Sequence, residues 1–439
     1  MISQKDKEIA QYILKFAQQN GCSASRAGIN AGTGTSFEFR DQQLDKLQQA
    51  SENRLSVSLF VDGRYGSYST NRMNKEEVEK FIKEAIDSTR YLAPDPCRTL
   101  PPTDRYYKGH DATDTNFDKT IETLQADDKL LLAKAAVEEV YHADSRIVSV
   151  SAGYRDATNF TYLVDSNGFE GEQAQTSFSL SANISLKDAG DARPESGWSE
   201  STLFWNDLPK SGVGKTALER ALRKLGQEKI QSGNYTLVLE NMVVRNLLSP
   251  VISALSGSAL AQRNSFLLDK SGKKIAATML TLSDEPHLPK AMGSRWFDSE
   301  GIATQRCAII ENGVLQTYLI DTYNANKMKV MPTISGVSVL TFKQGNKDVN
   351  GLIGDVRKGI LVTGFNGGNS NSTTGDFSFG IEGFLIENGA LVKPVSEMNI
   401  TGNILDLWQR LVAVGNDARE TSSWRTPSLV FEGVAFSGL

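Results

Sequence analysis

Thr176–Leu186 reads TSFSLSANISL, with Thr176, Phe178, Leu180, Ala182, Ile184 and Leu186 alternating without a break against Ser177, Ser179, Ser181, Asn183 and Ser185. A period of two puts the first set on one face of a strand and the second on the other. One face buried and one polar is the signature of an antiparallel sheet with a core on a single side. Working outward, DDKLLLAKAAVEEVYHAD at 127–144 is helical by composition, and IVSVSAGYRDATNFTYLVDSNG at 147–168 reads as a hairpin whose far strand ends in an SNG turn. Val213, Ala217, Leu218, Ala221, Leu222 and Leu225 then form an amphipathic helix that ends near Gly226 or Gly233.

Towards the N-terminus, Ile9, Tyr12, Ile13 and Phe16 make a helical stripe closed by Gly21, and residues 55–70 alternate around a DG turn as paired strands. Asn74 precedes Glu77 at capping-box spacing, so a second helix starts near Lys75 with Val78, Phe81, Ile82, Ala85 and Ile86 on its face. Pro94, Pro96, Pro101 and Pro102 deny helix to 93–112, which reads as a crossing segment and a sub-boundary.

From Tyr235 the texture changes. YTLVLE is a short apolar strand, NMVVRNLLSPVISALSG a helix interrupted by Pro250, and most of the remainder is short strands joined by Gly and Asn turns. IIENGVLQTYLID and FLIENGALVKPVSE share an apolar strand, an NG turn suited to type I′ and a second strand, as two hairpins of one antiparallel sheet. Ile404, Leu407, Trp408, Leu411 and Val412 add a late helix to cover a sheet face before the final strand at SLVFEGVAF. The expected fold class is α+β. Residues 1–232 form an α/β half with amphipathic helices on a sheet, and 233–439 a mainly antiparallel β domain with a few helices.

A chain of 439 residues with 39% hydrophobic and 23% charged residues has ample material for packed cores. Its 47 Lys+Arg against 52 Asp+Glu give a net charge of −5, which offers phosphate little counterion release, so no direct nucleic-acid partner is expected. No membrane partner is expected either. The charged, amphipathic N-terminus lacks a signal peptide's apolar run, and Cys22, Cys97 and Cys307 are an odd, scattered set without a CxxC pair, so a cytoplasmic location is expected. His110, His142 and His287 stand without a second His or Cys at ligand spacing, so no metal site is expected within one helix.

Several features invite chemistry. SGVGKT at 211–216 resembles the end of a phosphate loop, but its required first glycine falls at Pro209 and no apolar strand leads into it. His142 follows a helix end, where a capping or exposed role competes with general base; His287 shares a loop with Asp284 and Glu285, as a solvated turn or part of a metal site assembled across the fold. Asp298 and Glu300 are two apart and would share a strand face, as acid/base or as turn residues. No catalytic residue is assigned. The segment GFNGGNSNSTTGDFSFGIEGF, 364–384, leaves backbone groups accessible beside a sheet, either for strand addition by an extended peptide or as a long hairpin loop. Asn371, Thr374, Gly375, Asp376 and Phe377 are its candidate peptide-binding residues.

SLFVDGRYGSYSTNRMNKEEV, SALSGSALAQRNSFLLDKSGKKI, IIENGVLQTYLID, KGILVTGFNGGNSNSTTGDFSFGIEGFLIENG, PVSEMNITGNIL and the late VGND occur in order through nearly the whole chain. Together they resemble the TldD/PmbA family, described as metallopeptidases and historically as modulators of DNA gyrase. The resemblance implies an elongated dimer whose interior accepts unfolded peptide. In that family the TldD type carries HExxxH on a helix after a strand, with two His for zinc, a Glu for the bound water and a later Cys. The matching positions here are Ser249, Pro250, Val251, Ile252, Ser253 and Ala254, none of which binds zinc, and VAVGNDARETSS stands where the later ligand is expected.

The chain is therefore similar to the PmbA (TldE) type. The resemblance implies a subunit of a TldD/TldE peptidase acting on unfolded peptides, without a cofactor of its own and with zinc held only by a TldD-type partner. The partner is that subunit in a heterodimer, or a second copy in a homodimer. The alternatives are a non-proteolytic peptide-binding homodimer and a metallopeptidase with an unrecognised metal site.

Overall fold

The protein is described from a computed structural model, which covers residues 1–109 and 116–439; His110 lies outside the described residues. In the N-terminal half, strands β1 (Ala24–Arg40), β2 (Gln43–Val61), β3 (Arg64–Thr70), β4 (Ile147–Asp165), β5 (Glu170–Leu186) and β6 (Glu195–Thr202) make one antiparallel sheet in the order β3-β2-β1-β4-β5-β6. Helices α1 (Gln4–Gln19), α2 (Lys75–Arg90), α3 (Ala126–Glu138) and α4 (Val213–Leu222) accompany it. The sheet is continuous across the proline-rich stretch, because β3 precedes it and β4 follows it.

All four helices lie on one face. Ala27 and Ile29 of β1 join Tyr162 and Val164 of β4 under α1 and α2, whereas Phe37, Val150, Tyr154 and Phe178 pack under α3 and α4. These positions share parity along each strand, so they share a face. The opposite face is mostly small and polar, with Ser36 opposite Arg155 and Arg155 opposite Ser179, although Phe60 and Leu163 are buried on it.

Both N-terminal helices are capped as the sequence indicates. Asn74 accepts from the Glu77 N–H, and Gly21 follows α1 with φ +95°, a left-handed conformation open to glycine.

Residues 147–168 do not form a hairpin. They are the single long strand β4, whose turn comes only at its end, and the hairpin is β4 with β5. Core-facing parity persists from Val150 to Val164, so a turn near Arg155 would have moved half the apolar set to the polar face.

The C-terminal half contains β7 (Gly233–Leu239), α5 (Val244–Ala254), α6 (Gly257–Ala261), β8 (Leu282–Asp284), β9 (Cys307–Glu311), β10 (Val314–Leu315), α7 (Thr322–Met328), β11 (Leu340–Phe342) and α8 (Val349–Gly354). It continues with β12 (Lys358–Ser370), β13 (Asp376–Glu387), β14 (Ala390–Asn403), α9 (Ile404–Gln409), β15 (Leu411–Val414), β16 (Trp424–Arg425) and β17 (Leu429–Ser437). One sheet runs β14-β13-β12-β7-β17-β15, and because β14 also pairs with β17 it closes into a ring. Antiparallel pairs dominate, but β7 and β12 are parallel. A smaller sheet runs β10-β9-β8-β11-β16. Leu247 and Val251 of α5 and Leu407 and Trp408 of α9 are buried with Leu237, Ile360, Ile381, Ile400 and Phe431 in one core.

Three local expectations change. The two NG turns have left-handed Asn312 and Asn388 (φ 49° and 50°) followed by Gly313 and Gly389, as type I′ requires, but the hairpins belong to different sheets. Turn chemistry is local and does not fix sheet membership. Helix α5 passes through Pro250 without a break, since a proline inside a helix removes one N–H and the surrounding core holds the remainder. Leu411 and Val412 belong to β15, because α9 ends at Gln409.

Candidate functional site

Asn371, Thr374 and Gly375 lie in the turn between β12 and β13, Asp376 opens β13 and Phe377 follows it. Asn371 Oδ1 accepts from the N–H groups of Thr373 (2.9 Å) and Thr374 (3.2 Å), and its carbonyl accepts from Gly375 N–H (2.8 Å). Asp376 takes the Thr374 hydroxyl (2.7 Å) and Asn403 Nδ2 (3.0 Å), which hold its carboxyl below the usual range. Phe377 is buried and stacked 5.8 Å from Phe379. Gly375 has φ +83°, and a Cβ there would stand 3.2 Å from Phe266 Cγ. The turn is thus tied to itself, to Asn403 and, through Phe266 N–H on the Ser372 carbonyl, to the segment after α6.

Accessible backbone lies just before the turn. Strand β12 pairs with β7 only at Gly359–Val362, where Glu240 N–H closes the ladder on the Val362 carbonyl (3.1 Å). From Thr363 to Ser370 it keeps β13 on one side, and among the described residues no strand lies on the other. Two register shifts, at Val362/Gly364 and Phe365/Gly368, bend this edge. Gly368 must be glycine, for its φ is +106° and a Cβ would meet Ser378 O at 2.2 Å. Beside the edge, Arg220 grips Glu240 through two contacts of 2.7 Å, and Lys224 reaches Glu382 at 2.5 Å.

Helix α5 runs from just beyond the end of β7 and carries residues 249–254, which the family resemblance sets against HExxxH. Val251, Ile252 and Ala254 are buried in the core, Ser249 and Pro250 half-buried and Ser253 exposed. Their side chains provide hydroxyl and hydrocarbon. Among the described residues no group of three or more His, Cys, Asp or Glu is placed to hold a metal ion. In the later loop, Asp417 accepts from Ser428 N–H (2.8 Å) and hydroxyl (2.7 Å), and Arg419 binds Glu200 (3.1 Å) across the two halves. The donor set does not fit zinc, and no hydrolytic step is assigned to this helix.

The remaining candidates have structural partners. At SGVGKT the N-terminus of α4 is filled from within: Glu139 accepts from Gly212 N–H (2.6 Å), Gly214 N–H (3.0 Å) and Lys215 N–H (3.4 Å). An anion is already there, so the place a phosphate would take is occupied. His142 meets Tyr141 edge-on at 4.6 Å. His287 stacks on Trp296 at 4.5 Å and shares a hydrogen bond with Thr304 (3.0 Å), while burial lowers its pKa. Asp284 is turned inward to the Ser338 and Val339 N–H groups, and Glu285 outward to Arg306.

Asp298 and Glu300 do not share a strand face. They sit in a loop, where Asp298 accepts from Glu300 N–H (2.9 Å), Ile302 N–H (3.0 Å) and the Ser335 hydroxyl (2.7 Å), and Glu300 accepts from Thr322 N–H and hydroxyl (both 3.0 Å). Burial raises the Glu300 pKa above the ordinary carboxylate value. The folded chain therefore holds this proton more tightly than the unfolded one, and stability falls as pH rises from the ordinary value through the raised one. Glu300→Gln removes that loss. Thermal unfolding should show the variant above the parent at pH 7, with the advantage gone below about pH 4.

The glycine-rich segment was legible as a candidate, but its division into a self-satisfied turn and an open edge was not. Repeated glycines before the turn, at Gly364, Gly367 and Gly368, are the signal of the bulges that open it.

A wide sheet with helices on one face, joined to a closed β ring bearing a bulged edge, defines a PmbA/TldD-type fold, and the chain belongs to that family. The PmbA/TldA metallopeptidase models match as domain 1 over 27–89, the central domain over 119–225 and the C-terminal domain over 232–438. The protein called metalloprotease PmbA from Escherichia coli O157:H7 is 27% identical over 98% of this chain and 96% of its own. A solved structure from Bacteroides thetaiotaomicron, described as a candidate modulator of DNA gyrase, is 59% identical with a TM-score of 0.98 and covers 100% of both chains. TldE from Thermococcus kodakarensis shares the fold, with a TM-score of 0.83 at 19% identity over 98% of this chain and 100% of its own.

Proposed function

We propose that this chain is the TldE/PmbA-like subunit of a cytoplasmic TldD/TldE-type peptidase, holding unfolded peptide while a TldD-type partner supplies zinc and hydrolysis. The observation that carries the reading is the open, bulged edge of β12 at Thr363–Ser370, continuous with the turn bearing Asn371, Thr374 and Gly375. An edge strand offers N–H and C=O groups to any extended chain and cannot bind a folded one, so selection is for lack of structure more than for sequence. Support for a partner's zinc comes from the side chains of α5 at 249–254, none of which is a metal ligand. No helix among the described residues is long and apolar enough to cross a membrane.

The test is a proline scan of 363–370 in mixtures with a zinc-loaded TldD-type partner. Prolines whose lost N–H faces β13 break the ladder and lower the unfolding midpoint; those facing the open side leave it nearly unchanged. Among the latter, at least one should cut cleavage of a disordered peptide about tenfold with the subunits still associated, the loss of one or two backbone hydrogen bonds. Gly375→Val is expected to lower stability by about 1–3 kcal/mol through its strained φ and so to reduce the same rate. Unchanged turnover throughout the open-side set would reject the edge as the peptide site. Peptide binding by this chain without any turnover in the mixture would favour the non-proteolytic alternative.

A further inference from the structure

On its open face the N-terminal sheet meets the C-terminal half around a cavity. Strands β4 and β5, the loop residues 293–296 and 337–338, and Ser423 enclose about 340 Å³. That is enough for a small molecule. Asn159 on β4 stands directly opposite Gln175 on β5, and both point away from the helices, as the odd positions of these strands do. The walls are clamped to each other. Gln173 donates to the Phe297 carbonyl (3.3 Å) and accepts from Trp296 N–H (3.4 Å), and Asn116 donates to the Ser294 carbonyl (2.9 Å). Arg295 donates from Nε to Ser338 Oγ (2.9 Å) and from Nη2 to the Gly336 carbonyl (3.0 Å), which fixes its plane and leaves Nη1 without an acceptor among the described residues.

We propose that this cavity binds a polyhydroxylated monocarboxylate, a sugar acid of hexose size, with its carboxylate on Arg295 and its hydroxyls on Asn159 and Gln175. The ligand class follows from what lines the space. Among the described residues Arg295 is the one charged member of the lining, and no Asp or Glu shares it. A guanidinium with an unpaired donor in a part-enclosed space favours a single oxyanion. It disfavours a free amino acid, whose ammonium would add a second cation with no carboxylate to meet it. Asp284, the buried acid whose charge Arg295 stabilises, lies outside the lining and is turned to the Ser338 and Val339 N–H groups. Side-chain amides offer a donor and an acceptor together, as hydroxyls do, so Asn159 and Gln175 suit a run of hydroxyls. A hydrocarbon tail would find little to touch, since Ala174 and Val337 are the only aliphatic side chains among the described lining residues. This inference goes beyond the proposed function and does not depend on peptide binding at β12.

Isothermal titration calorimetry of the full chain, with no other subunit present, tests it with D-gluconate and D-glucuronate as probes. At least one should bind with a Kd below about 1 mM. Binding of the first points to an open-chain acid and of the second to a ring, and either supports the proposal. D-glucose lacks the carboxylate, hexanoate lacks the hydroxyls and L-glutamine adds an ammonium. Each should bind about tenfold more weakly or worse, the loss expected for one charge-assisted hydrogen bond or a pair of neutral ones. Arg295→Gln should erase the preference for the acid over D-glucose. Because that variant also loses bonds to Ser338 and Gly336, Asn159→Ala and Gln175→Ala give a second reading. On the open face of the sheet they should keep the parent's unfolding midpoint and weaken the acid about fivefold each. A Kd above about 1 mM for both acids, equal binding of D-glucose, hexanoate or L-glutamine, or acid binding unmoved by both amide variants would each overturn the proposal.

Discussion

Asp156→Ala is expected to destabilise the chain by about 3–5 kcal/mol, the cost of stranding a buried charge. The Asp156 carboxylate, only 3% exposed, takes Lys129 Nζ at 2.6 Å and the Tyr154 hydroxyl at 2.9 Å beneath α3. Burial and this carboxylate hold the Tyr154 phenol well above its usual range. Without Asp156 the Lys129 ammonium has no counter-charge and the phenol no acceptor. Lys129→Met/Asp156→Leu removes both charges and should recover most of the loss, because apolar replacement of a whole buried pair is often neutral. Urea unfolding at pH 7 measures both. Glu138→Ala, which breaks the exposed pair with Lys134, should stay within about 1 kcal/mol of the parent. An Asp156→Ala loss no larger than that would mean the pair is more hydrated than its burial indicates.

The second large effect is at Glu139. Its carboxylate closes three N–H groups at the start of α4 from the end of α3, so Glu139→Ala should cost about 2–3 kcal/mol through lost charge-assisted bonds and a bare helix terminus. Glu139→Gln keeps one acceptor oxygen and should lose about half as much. Added phosphate or nucleotide should not move the parent's unfolding midpoint, since the anion position is filled. A midpoint rising with phosphate would show that Glu139 is displaced and would return the SGVGKT segment to the list of ligand sites.

The regular elements were legible wherever side chains alternate by size and polarity. Thr176–Leu186 emerges as the core of β5, and the Asn74 cap starts α2 where the spacing places it. Strand β1 and the first part of β2 escaped, because Gly28, Gly32 and Gly34 and the run of Gln, Ser and Ala through residue 51 carry little amphipathic signal on an open face. The hairpin expected within 147–168 failed because Gly153 and Asn159 punctuate a strand whose core parity never shifts. At the candidate site, residue types marked the segment 364–384, but edge exposure depends on where β7 ends, a long-range pairing that no local pattern encodes. Family resemblance supplied what periodicity could not, the significance of Ser249 to Ala254 as a place where metal ligands are expected.

Whether a TldD-type partner supplies the zinc is decided by measuring zinc content and disordered-peptide turnover for this chain alone, a TldD-type subunit alone and the two mixed, each before and after chelation. This chain alone should hold no stoichiometric zinc and show no turnover, the partner alone low turnover, and the mixture high, chelator-sensitive turnover that spares folded proteins. About one zinc per copy of this chain, lost together with its own peptidase activity on chelation, would contradict this expectation.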